Sequence, residues 1–402
     1  VSGATSPPSL TFDTYNKLTA ANVDSDATSN IDFFSNTYEM GSRKELIIND
    51  AGTYYANIYS SNTLALVKKE VVNPLFPTTE TQKIVASDRG GSDYFGKSVS
   101  ISGDYAIVGA HAEDHDVSGA NFATNSGSAY IFKHDGTSWV QQQKIVASDR
   151  GSSDYFGYSV SISGDYAIVG AYGEDHDVDG NNYLSSSGSA YIFKRSGTTW
   201  TQETKIVASD REQYDNFGWS VSINGDYAIV GAHFEDHDAS GANELSKAGS
   251  AYIFKRSGTT WTQETKLVAS DRGADDQFGW SVSINGDYAI VGAAWEEEDA
   301  SGANPLTKAG AAYIFRRSGT TWIQESKIAA GVRKISDNFG RSVDISGGYT
   351  IVGARYEDED VDDVNPVSAS GSAYIFERPA IGPETTLSET SIAKQFIYDT
   401  GG

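Results

Sequence analysis

The sequence predicts an all-β fold, a five-bladed β-propeller of four-stranded antiparallel blades preceded by a small β-sandwich. One line, "FGYSVSISGDYAIVGA" in its second copy, recurs five times with its Phe-Gly pair 61 residues apart. Each copy contains four short segments rich in β-branched and aromatic residues, separated by Gly, Ser, Asn and Asp turns. Helical periodicity is absent. Four-stranded units repeated at this length are typical of propeller blades.

Residues 1–77 are predicted to form a separate β-sandwich. The segments "LTFDTYNKL", "NIDFFSNTYEM", "KELIIND", "GTYYANIY" and "TLALVKKEVV" have the composition of strands. "DAGTYYA" at Asp50–Ala56 resembles the Asp-x-Gly-x-Tyr corner of immunoglobulin-like domains, which implies a buried Tyr54 with a bonded hydroxyl. The chain has no cysteine, so a disulfide is excluded. We expect a linker over residues 74–79.

Residues 78–380 are assigned to the propeller. The apolar run "AIVGA" in the second strand of most copies predicts strands that are buried on both faces between neighbouring blades. The segment Gln82–Ser87 matches the fourth strand of the other units, whereas no clear fourth strand follows the strand around Ser372–Glu377. We therefore expect Gln82–Ser87 to close the ring by completing the fifth blade. The alternative is that "TTLSETSIAKQ" supplies that strand.

The C-terminal residues 381–402 are interpreted as a linker or the start of a further module. Because the chain begins with Val1 and ends in "YDTGG", we expect it to be part of a longer modular protein.

The repeated line, followed by "GSAYIF", resembles the FG-GAP repeat of the integrin α-subunit propeller and of related bacterial and viral proteins. The resemblance covers about residues 81–378 and implies an extracellular adhesion or structural module. Two features depart from that pattern. The first hairpin is too short for the calcium loop of integrin blades, and the Pro of the family name is replaced. Its replacements are His111, Tyr172, His233, Ala294 and Arg355.

The charge balance limits the classes of partner. Lys and Arg number 30 against 54 Asp and Glu, a formal net charge of −24. Such a surface repels phosphate backbones, so nucleic acid and anionic membranes are disfavoured as partners, while divalent cations are favoured. No apolar run is long enough to span a membrane, so we expect no membrane insertion.

An acidic string follows the second strand of each unit and predicts calcium sites. The strings place carboxylates at positions one and three, often one at five, then Gly and a terminal Asn, and calcium takes six to eight oxygen ligands. Asp149 and Asp154, or water, would complete the shell of the second copy. The alternative is a solvated turn. The candidate ligands are Asp175, Asp177, Asp179, Asn182, Asp114, Asp116, Ser118, Asn121, Asp236, Asp238, Ser240, Asn243, Glu297, Asp299, Ser301, Asn304, Asp358, Asp360, Asp362 and Asn365.

The positions that differ between copies predict a ligand-binding surface. They follow the Phe-Gly pair or the second strand and carry aromatic or basic side chains, which suit a carbohydrate or protein partner. Unconstrained drift is the alternative. The candidate ligand-binding residues are Tyr158, Tyr172, Trp219, His233, Phe234, Trp280, Trp295, Arg341, Arg355 and Tyr356.

These features favour a non-enzymatic structural or adhesion module on an extracellular, cell, virion or appendage surface. It would bind a protein, a glycan or neighbouring subunits through the acidic loop face, multivalently and with calcium as stabilising cofactor. A five-bladed lectin that binds carbohydrate is the alternative. A glycoside hydrolase needs two unlike carboxylates, whereas these acids recur in every unit, so no catalytic residue is assigned.

Overall fold

The computed structural model describes residues 80–358 and 367–378 in full, together with the backbone of five strands within the first 69 residues. The chain divides into two compact units, Val1–Thr81 and Gln82–Gly402. Every regular element in the described residues is a β-strand. None of these residues forms a helix that is long and apolar enough to cross a membrane.

The described strands of the first unit form one antiparallel sheet. Its strands are β1 (Ser9–Phe12), β2 (Leu18–Ala21), β3 (Arg43–Ile48), β4 (Gly52–Ile58) and β5 (Leu64–Lys69). Their order is β2-β1-β5-β4-β3. A sandwich needs two facing sheets, so the predicted sandwich is not confirmed. Tyr54 lies in β4, between Leu46 of β3 and Lys68 of β5. Its side chain, the predicted linker and residues 381–402 lie outside the description.

The second unit contains five blades, which confirms the predicted propeller. Blade 1 comprises β6 (Val99–Ser102), β7 (Tyr105–Ala110), β8 (Ser128–His134) and β9 (Trp139–Ile145). Blade 2 comprises β10 (Ser159–Ser163), β11 (Tyr166–Ala171), β12 (Ser189–Ser196) and β13 (Thr199–Ile206). Blade 3 comprises β14 (Ser220–Asn224), β15 (Tyr227–Ala232), β16 (Ser250–Ser257) and β17 (Thr260–Leu267).

Blade 4 comprises β18 (Phe278–Asn285), β19 (Tyr288–Ala293), β20 (Ala311–Ser318) and β21 (Thr321–Ile328). Blade 5 comprises β22 (Phe339–Ser346), β23 (Tyr349–Ala354) and β24 (Ser372–Glu377). Each blade is a meander of sequential antiparallel strands, and the first strands of successive blades pack side by side. These first strands are therefore the innermost ones.

The core lies between the blades. Every residue of β11 is buried, because each of its faces packs on a neighbouring blade. The backbones approach so closely that a Cβ added at Gly170 would lie 2.0 Å from the carbonyl oxygen of Gly218 in the next blade. The glycine of the repeated Phe-Gly pair has the positive φ expected at a tight turn, +90° at Gly157.

The ring is not closed between blades 5 and 1. Single parallel bridges join successive blades at Gly127↔Phe156, Gly188↔Phe217, Gly249↔Phe278 and Gly310↔Phe339. No equivalent bridge joins Gly371 to Phe95 in the described residues. Val99 and Ile101 of β6 are 67% and 65% exposed, whereas the equivalent Val160 and Ile162 are each 5% exposed. We call this opening the seam.

The prediction that Gln82–Ser87 pair with β24 is therefore wrong in this structure, where the sheet of blade 5 contains three strands. The segment is held by blade 1 instead. The side chain of Gln82 exchanges two hydrogen bonds of 2.7 Å with the backbone of Trp139. Gln143 of β9 makes the same pair of bonds to Trp200 of β13. Gln82–Ser87 thus occupies the fourth-strand position next to blade 1, but the seam separates it from β24.

Candidate functional site

The acidic strings lie in the loops between the second and third strands, on the same face as the loops that enter the next blade. The backbone N–H of Ser153 in such an entering loop donates to the carbonyl of Thr124, at 2.8 Å. The N–H of Tyr155 donates to the carbonyl of Asn125, at 3.1 Å. One face of the propeller therefore carries both loop sets, as chain direction predicts.

In blade 2 the central aspartate of the string organises its own loop. Oδ1 of Asp177 accepts the backbone N–H groups of Asp179, at 3.0 Å, and of Asn181, at 2.9 Å. Its other oxygen accepts the side-chain amide of Asn182. These donors, led by Asn182, hold the pKa of Asp177 below its usual range. Asp175 accepts the N–H of Ser186 at 2.7 Å.

Blades 1, 3 and 4 repeat this arrangement with a serine at the fifth position. In blade 1, Asp116 accepts the N–H and the hydroxyl of Ser118, at 2.9 and 2.6 Å, and the side-chain amide of Asn121. Asp238 has the same contacts with Ser240 and Asn243, and Asp299 has them with Ser301 and Asn304. The serine and asparagine predicted as calcium ligands thus donate to the aspartate in three blades.

In blades 1 to 4, an arginine from the next entering loop donates hydrogen bonds to the backbone of the acidic loop. Nη2 of Arg150 donates to the carbonyl of Asp114 at 3.0 Å, and its Nη1 donates to that of Asn121 at 3.3 Å. Arg211, Arg272 and Arg333 do the same in the following blades. The guanidinium thus satisfies two backbone carbonyl oxygens of the acidic loop. The repeated "SDR" of copies one to three was the available sequence signal for this contact.

The glutamate directly before position one of each string is buried. Glu174 is 1% exposed, and its Oε2 lies 2.8 Å from Nζ of Lys205. The same ammonium lies 2.8 Å from Asp149, whose other oxygen accepts the hydroxyl of Tyr191 at 2.9 Å. Asp154 caps the N–H of Gly151, and burial raises its pKa to about 6. Both acids are thus engaged in internal contacts in this structure, and their part in a calcium shell stays a prediction.

The predicted convergence of carboxylates is not found in the described loops. Residues 80–358 and 367–378 hold no group of three or more Asp, Glu or His side chains placed to bind a metal ion. In blade 5, Asp358 accepts the N–H of Ala369 at 2.5 Å, while Asp360, Asp362 and Asn365 lie outside the description. Calcium binding itself remains a prediction.

The residues after the five Phe-Gly pairs do converge. They form a continuous row at the inner ends of the blades, which we call the axial cluster: Lys97, Tyr158, Trp219, Trp280 and Arg341. Ring centroids are 4.6 Å apart for Tyr158 and Trp219, and 5.2 Å apart for Trp219 and Trp280. Nζ of Lys97 lies 4.6 Å from the Tyr158 ring centroid, and Cζ of Arg341 lies 4.5 Å from that of Trp280.

Residues at the end of the second strand pack against this row. Tyr172 lies 4.7 Å from Tyr158, and His233 lies 4.2 Å from Trp219, between ring centroids. His233 is 1% exposed, and its Nδ1 has no hydrogen-bond partner among the described residues. Burial lowers the pKa of His233 to about 3, so its imidazole is neutral at physiological pH.

The cations of the cluster lack carboxylate partners. Within the part of the chain that the structure describes, no Asp or Glu oxygen lies within ion-pair distance of Lys97, Arg341 or Arg355. Burial and the two arginines lower the pKa of Lys97. Burial and Arg355 lower the pKa of Arg341. Three cations thus repel one another where blades 1 and 5 face each other.

The remaining predicted ligand residues form separate contacts. Nζ of Lys247 lies 5.2 Å from the Phe234 ring, and Nζ of Lys308 lies 3.6 Å from that of Trp295. Cζ of Arg355 lies 5.1 Å from the ring centroid of its neighbour Tyr356. Phe234 does touch His233, with centroids 3.9 Å apart. The structure therefore brings together seven of the ten predicted residues, all except Trp295, Arg355 and Tyr356.

The comparison with known families agrees with this architecture. The FG-GAP repeat family model matches residues 78–132, 139–193, 200–254, 261–315 and 322–376, together well over half of the chain. The last four matches each start in or at the fourth strand of one blade and end in the third strand of the next, and the first match ends in β8. No curated protein matches the chain. With five matched repeats and the five blades that they build, the chain belongs to the FG-GAP repeat family.

Proposed function

We propose that this chain is a non-enzymatic adhesion module of an extracellular or particle surface, and that it binds an anionic saccharide at the axial cluster. The observation that carries the proposal is the convergence of aromatic rings and unpaired cations from all five blades. An FG-GAP propeller is consistent with a binding or adhesion module. The choice of a saccharide as the ligand is the more specific part of the proposal.

The chemistry of the cluster favours an anionic ligand. Among the described residues, Lys97, Arg341 and Arg355 have no carboxylate partner, although the protein has a net charge of −24. A carboxylate placed among them would relieve their mutual repulsion and accept charge-assisted hydrogen bonds.

The rings favour a saccharide as the carrier of that anion. Tyr158, Trp219 and Trp280 are half-buried and present a contiguous aromatic wall, which suits the C–H faces of a pyranose. Apolar walls with a few oriented polar groups are the usual composition of small-ligand sites.

The acidic loops support binding at the axis in preference to binding through five equivalent loop sites. Their central aspartates accept hydrogen bonds from their own loop. The glutamate before position one, Glu174 in blade 2, is buried in an ion pair. Few carboxylate acceptors remain free for a ligand. The same acids recur in blade after blade as parts of these contacts, which supports a non-catalytic module.

Tryptophan fluorescence tests the proposal, because Trp219 and Trp280 lie in the site. Sodium glucuronate and glucose form a matched pair of probes that differ by one carboxylate. We expect saturable quenching with glucuronate and at least tenfold weaker binding of glucose, because charge-assisted bonds are lost.

Arg341→Gln should weaken glucuronate binding about tenfold or more. Lys133→Gln is the matched control. Lys133, in β8, also lies over an aromatic ring, that of Tyr105 in β7, but away from the cluster. Equal binding of both sugars would refute the anionic specificity. Binding that survives Trp219→Ala and Arg341→Gln together would refute the axial site.

A further inference from the structure

The two faces that border the seam are the only blade faces in the described propeller that lack a neighbouring blade. On blade 5, Tyr349, Ile351 and Ile375 are 55%, 43% and 71% exposed. Their equivalents in blade 2 are 8%, 0% and 0% exposed. These side chains line an open apolar groove together with Asp344 and Ser346. Exposed apolar faces of this kind mark protein–protein contacts.

The internal interfaces show what such a face accepts. Ile107 and Ile131 of blade 1 pack in one buried cluster with Val160 and Ile162 from the first strand of blade 2. A ladder of hydrogen bonds runs beside that cluster. The hydroxyls of Ser98 and Ser100 accept the N–H groups of Val160 and Ile162 at 2.9 and 3.1 Å. The occupant of blade 5 must therefore present a first strand with uncovered apolar residues and N–H groups.

Blade 1 presents that strand. Val99 and Ile101 are the equivalents of Val160 and Ile162, and they are uncovered. Blade 5 supplies acceptors at the equivalents of Ser98 and Ser100, namely Ser342 and Asp344. The two faces are complementary by the same rule that joins every other pair of blades, yet they stay apart within one chain.

Blade 5 also lacks a fourth strand, and blade 1 carries one at the right place. Gln82–Ser87 occupies the fourth-strand position next to β9, held by the Gln82–Trp139 bonds and by the 2.9 Å bond from the N–H of Ser87 to Gln141. Any blade that docks on blade 1 would meet this segment along its own third strand. For blade 5 that strand is β24, whose outer edge is unpaired in the described sheet.

We propose that blade 5 of one molecule docks on blade 1 of a second copy of this chain, so that the partner's Gln82–Ser87 segment completes the sheet of blade 5. The contact is heterologous, since two different surfaces of the chain meet, and the pair of molecules keeps one free blade 1 face and one free blade 5 face. It continues the interface that already joins the five blades. A stack of repeats with uncapped apolar ends is expected to associate in this way.

The charge of the chain gives this association a salt dependence. Two molecules of net charge −24 repel each other, whereas the contact itself is mainly apolar. Salt screens the repulsion and leaves the apolar contact intact. Self-association should therefore strengthen as sodium chloride is raised from about 0.05 to 0.5 M.

Sedimentation of the full chain tests the proposal, and engineered thiols locate the contact, because the chain has no cysteine. Ile101→Cys and Asp344→Cys are made as two separate proteins. Ser100→Cys with Ile162→Cys in one chain is the control for the geometry, since Ser100 bonds to the backbone of Ile162 at 3.1 Å. The control pair should oxidise within a single chain.

We expect mixing of the two single-cysteine proteins to give disulfide-linked dimers well above the yield of either protein alone. We also expect sedimentation to show oligomers that grow with concentration, and Ile101→Asp to abolish them without unfolding the chain, because Ile101 is exposed. A monomer at all concentrations would overturn the proposal. So would a double variant, Ile101→Cys with Asp344→Cys, that oxidises only within one chain, because the ring would then close on itself.

Discussion

At the scale of the residue, the aspartate at the third position of each acidic string acts as a loop cap. An Asp-x-Asp-x-Asp pattern with Gly and Asn is equally compatible with a calcium loop and with a turn in which one carboxylate gathers nearby N–H groups. In blade 2 the second arrangement is formed, with Asp177 at its centre. Asp179 lies two residues on, and its carboxylate accepts no hydrogen bond among the described residues.

This difference predicts a contrast between two isosteric substitutions. Asp177→Asn should lower the melting temperature in chelator, because an amide NH₂ would replace an acceptor opposite the Asn182 side-chain amide. Asp179→Asn should leave it unchanged. Thermal melts with millimolar calcium and with chelator provide the measurement. A calcium site would instead give a wild-type increase with calcium that both variants diminish.

At the scale of the element, a buried lysine joins the fourth strand of each complete blade to two loops. In blade 2, Lys205 of β13 reaches Glu174 in the acidic loop and Asp149 in the entering loop, each at 2.8 Å. Its side chain is 5% exposed and that of Glu174 is 2% exposed. Burial and these two acids also raise the pKa of Tyr191 well above its usual value.

Removing this lysine should destabilise the propeller strongly. Lys205→Met leaves Glu174 buried without its counter-charge, and breaking a buried pair from one side costs about 3–5 kcal/mol. Lys194→Met is the matched control, because Lys194 lies 3.6 Å from Glu203 with 41% of its side chain exposed. Exposed pairs contribute about 0–1 kcal/mol. Urea unfolding measures both, and equal effects would contradict the assignment of a buried network.

At the scale of the whole molecule, buried carboxylates set the pH dependence of stability. Burial raises the pKa of Asp215 to about 7, and that of Asp154 and Asp337 to about 6. A carboxyl whose folded pKa lies above its unfolded value near 4 binds more protons in the folded state between those two values. The free energy of unfolding should therefore fall as pH rises from about 4 to about 7.

The capping aspartates have the opposite effect on the free energy of unfolding, which they lower as the pH falls. Hydrogen bonds led by those from Ser118, Asn182, Ser240 and Ser301 hold the pKa values of Asp116, Asp177, Asp238 and Asp299 below the usual range. Their stabilisation is complete above the unfolded pKa near 4 and is lost as the pH falls through the folded pKa. Maximal stability is thus expected near pH 4 to 5, well below neutrality.

Asp215→Asn tests the contribution of one buried acid. In the wild type, the N–H of Glu212 donates to Asp215 at 2.6 Å. The amide oxygen of the variant can still accept this hydrogen bond, and no charge is buried. We expect the variant to be more stable than wild type by roughly 1–3 kcal/mol at pH 8 and unchanged near pH 4. The exposed Asp226→Asn serves as control. Denaturant unfolding that shows the same difference at both pH values would contradict this account.

The sequence by itself determined the propeller strands, the number of blades, the loop face and the set of variable positions after the Phe-Gly pairs. These features follow from local spacing, because a 61-residue repeat with two-residue alternation places equivalent residues at equivalent points of every blade. Trp219 and Trp280 were therefore recognisable as neighbours. The sequence did not determine the direction in which each acidic side chain points. Glu174 and Asp175 are adjacent in the chain, yet one is buried against Lys205 and the other caps a turn.

Only the tertiary structure decided the partners of the acids and the state of the ring. Lys205 and Arg211 come from segments about 30 residues beyond the acidic loop that they hold, so no local pattern connects them. Closure depends on the sum of four interblade rotations, which no single repeat encodes. Small rotations accumulate along a stack of repeats, and here they leave Val99 and Ile375 on opposite sides of an open seam.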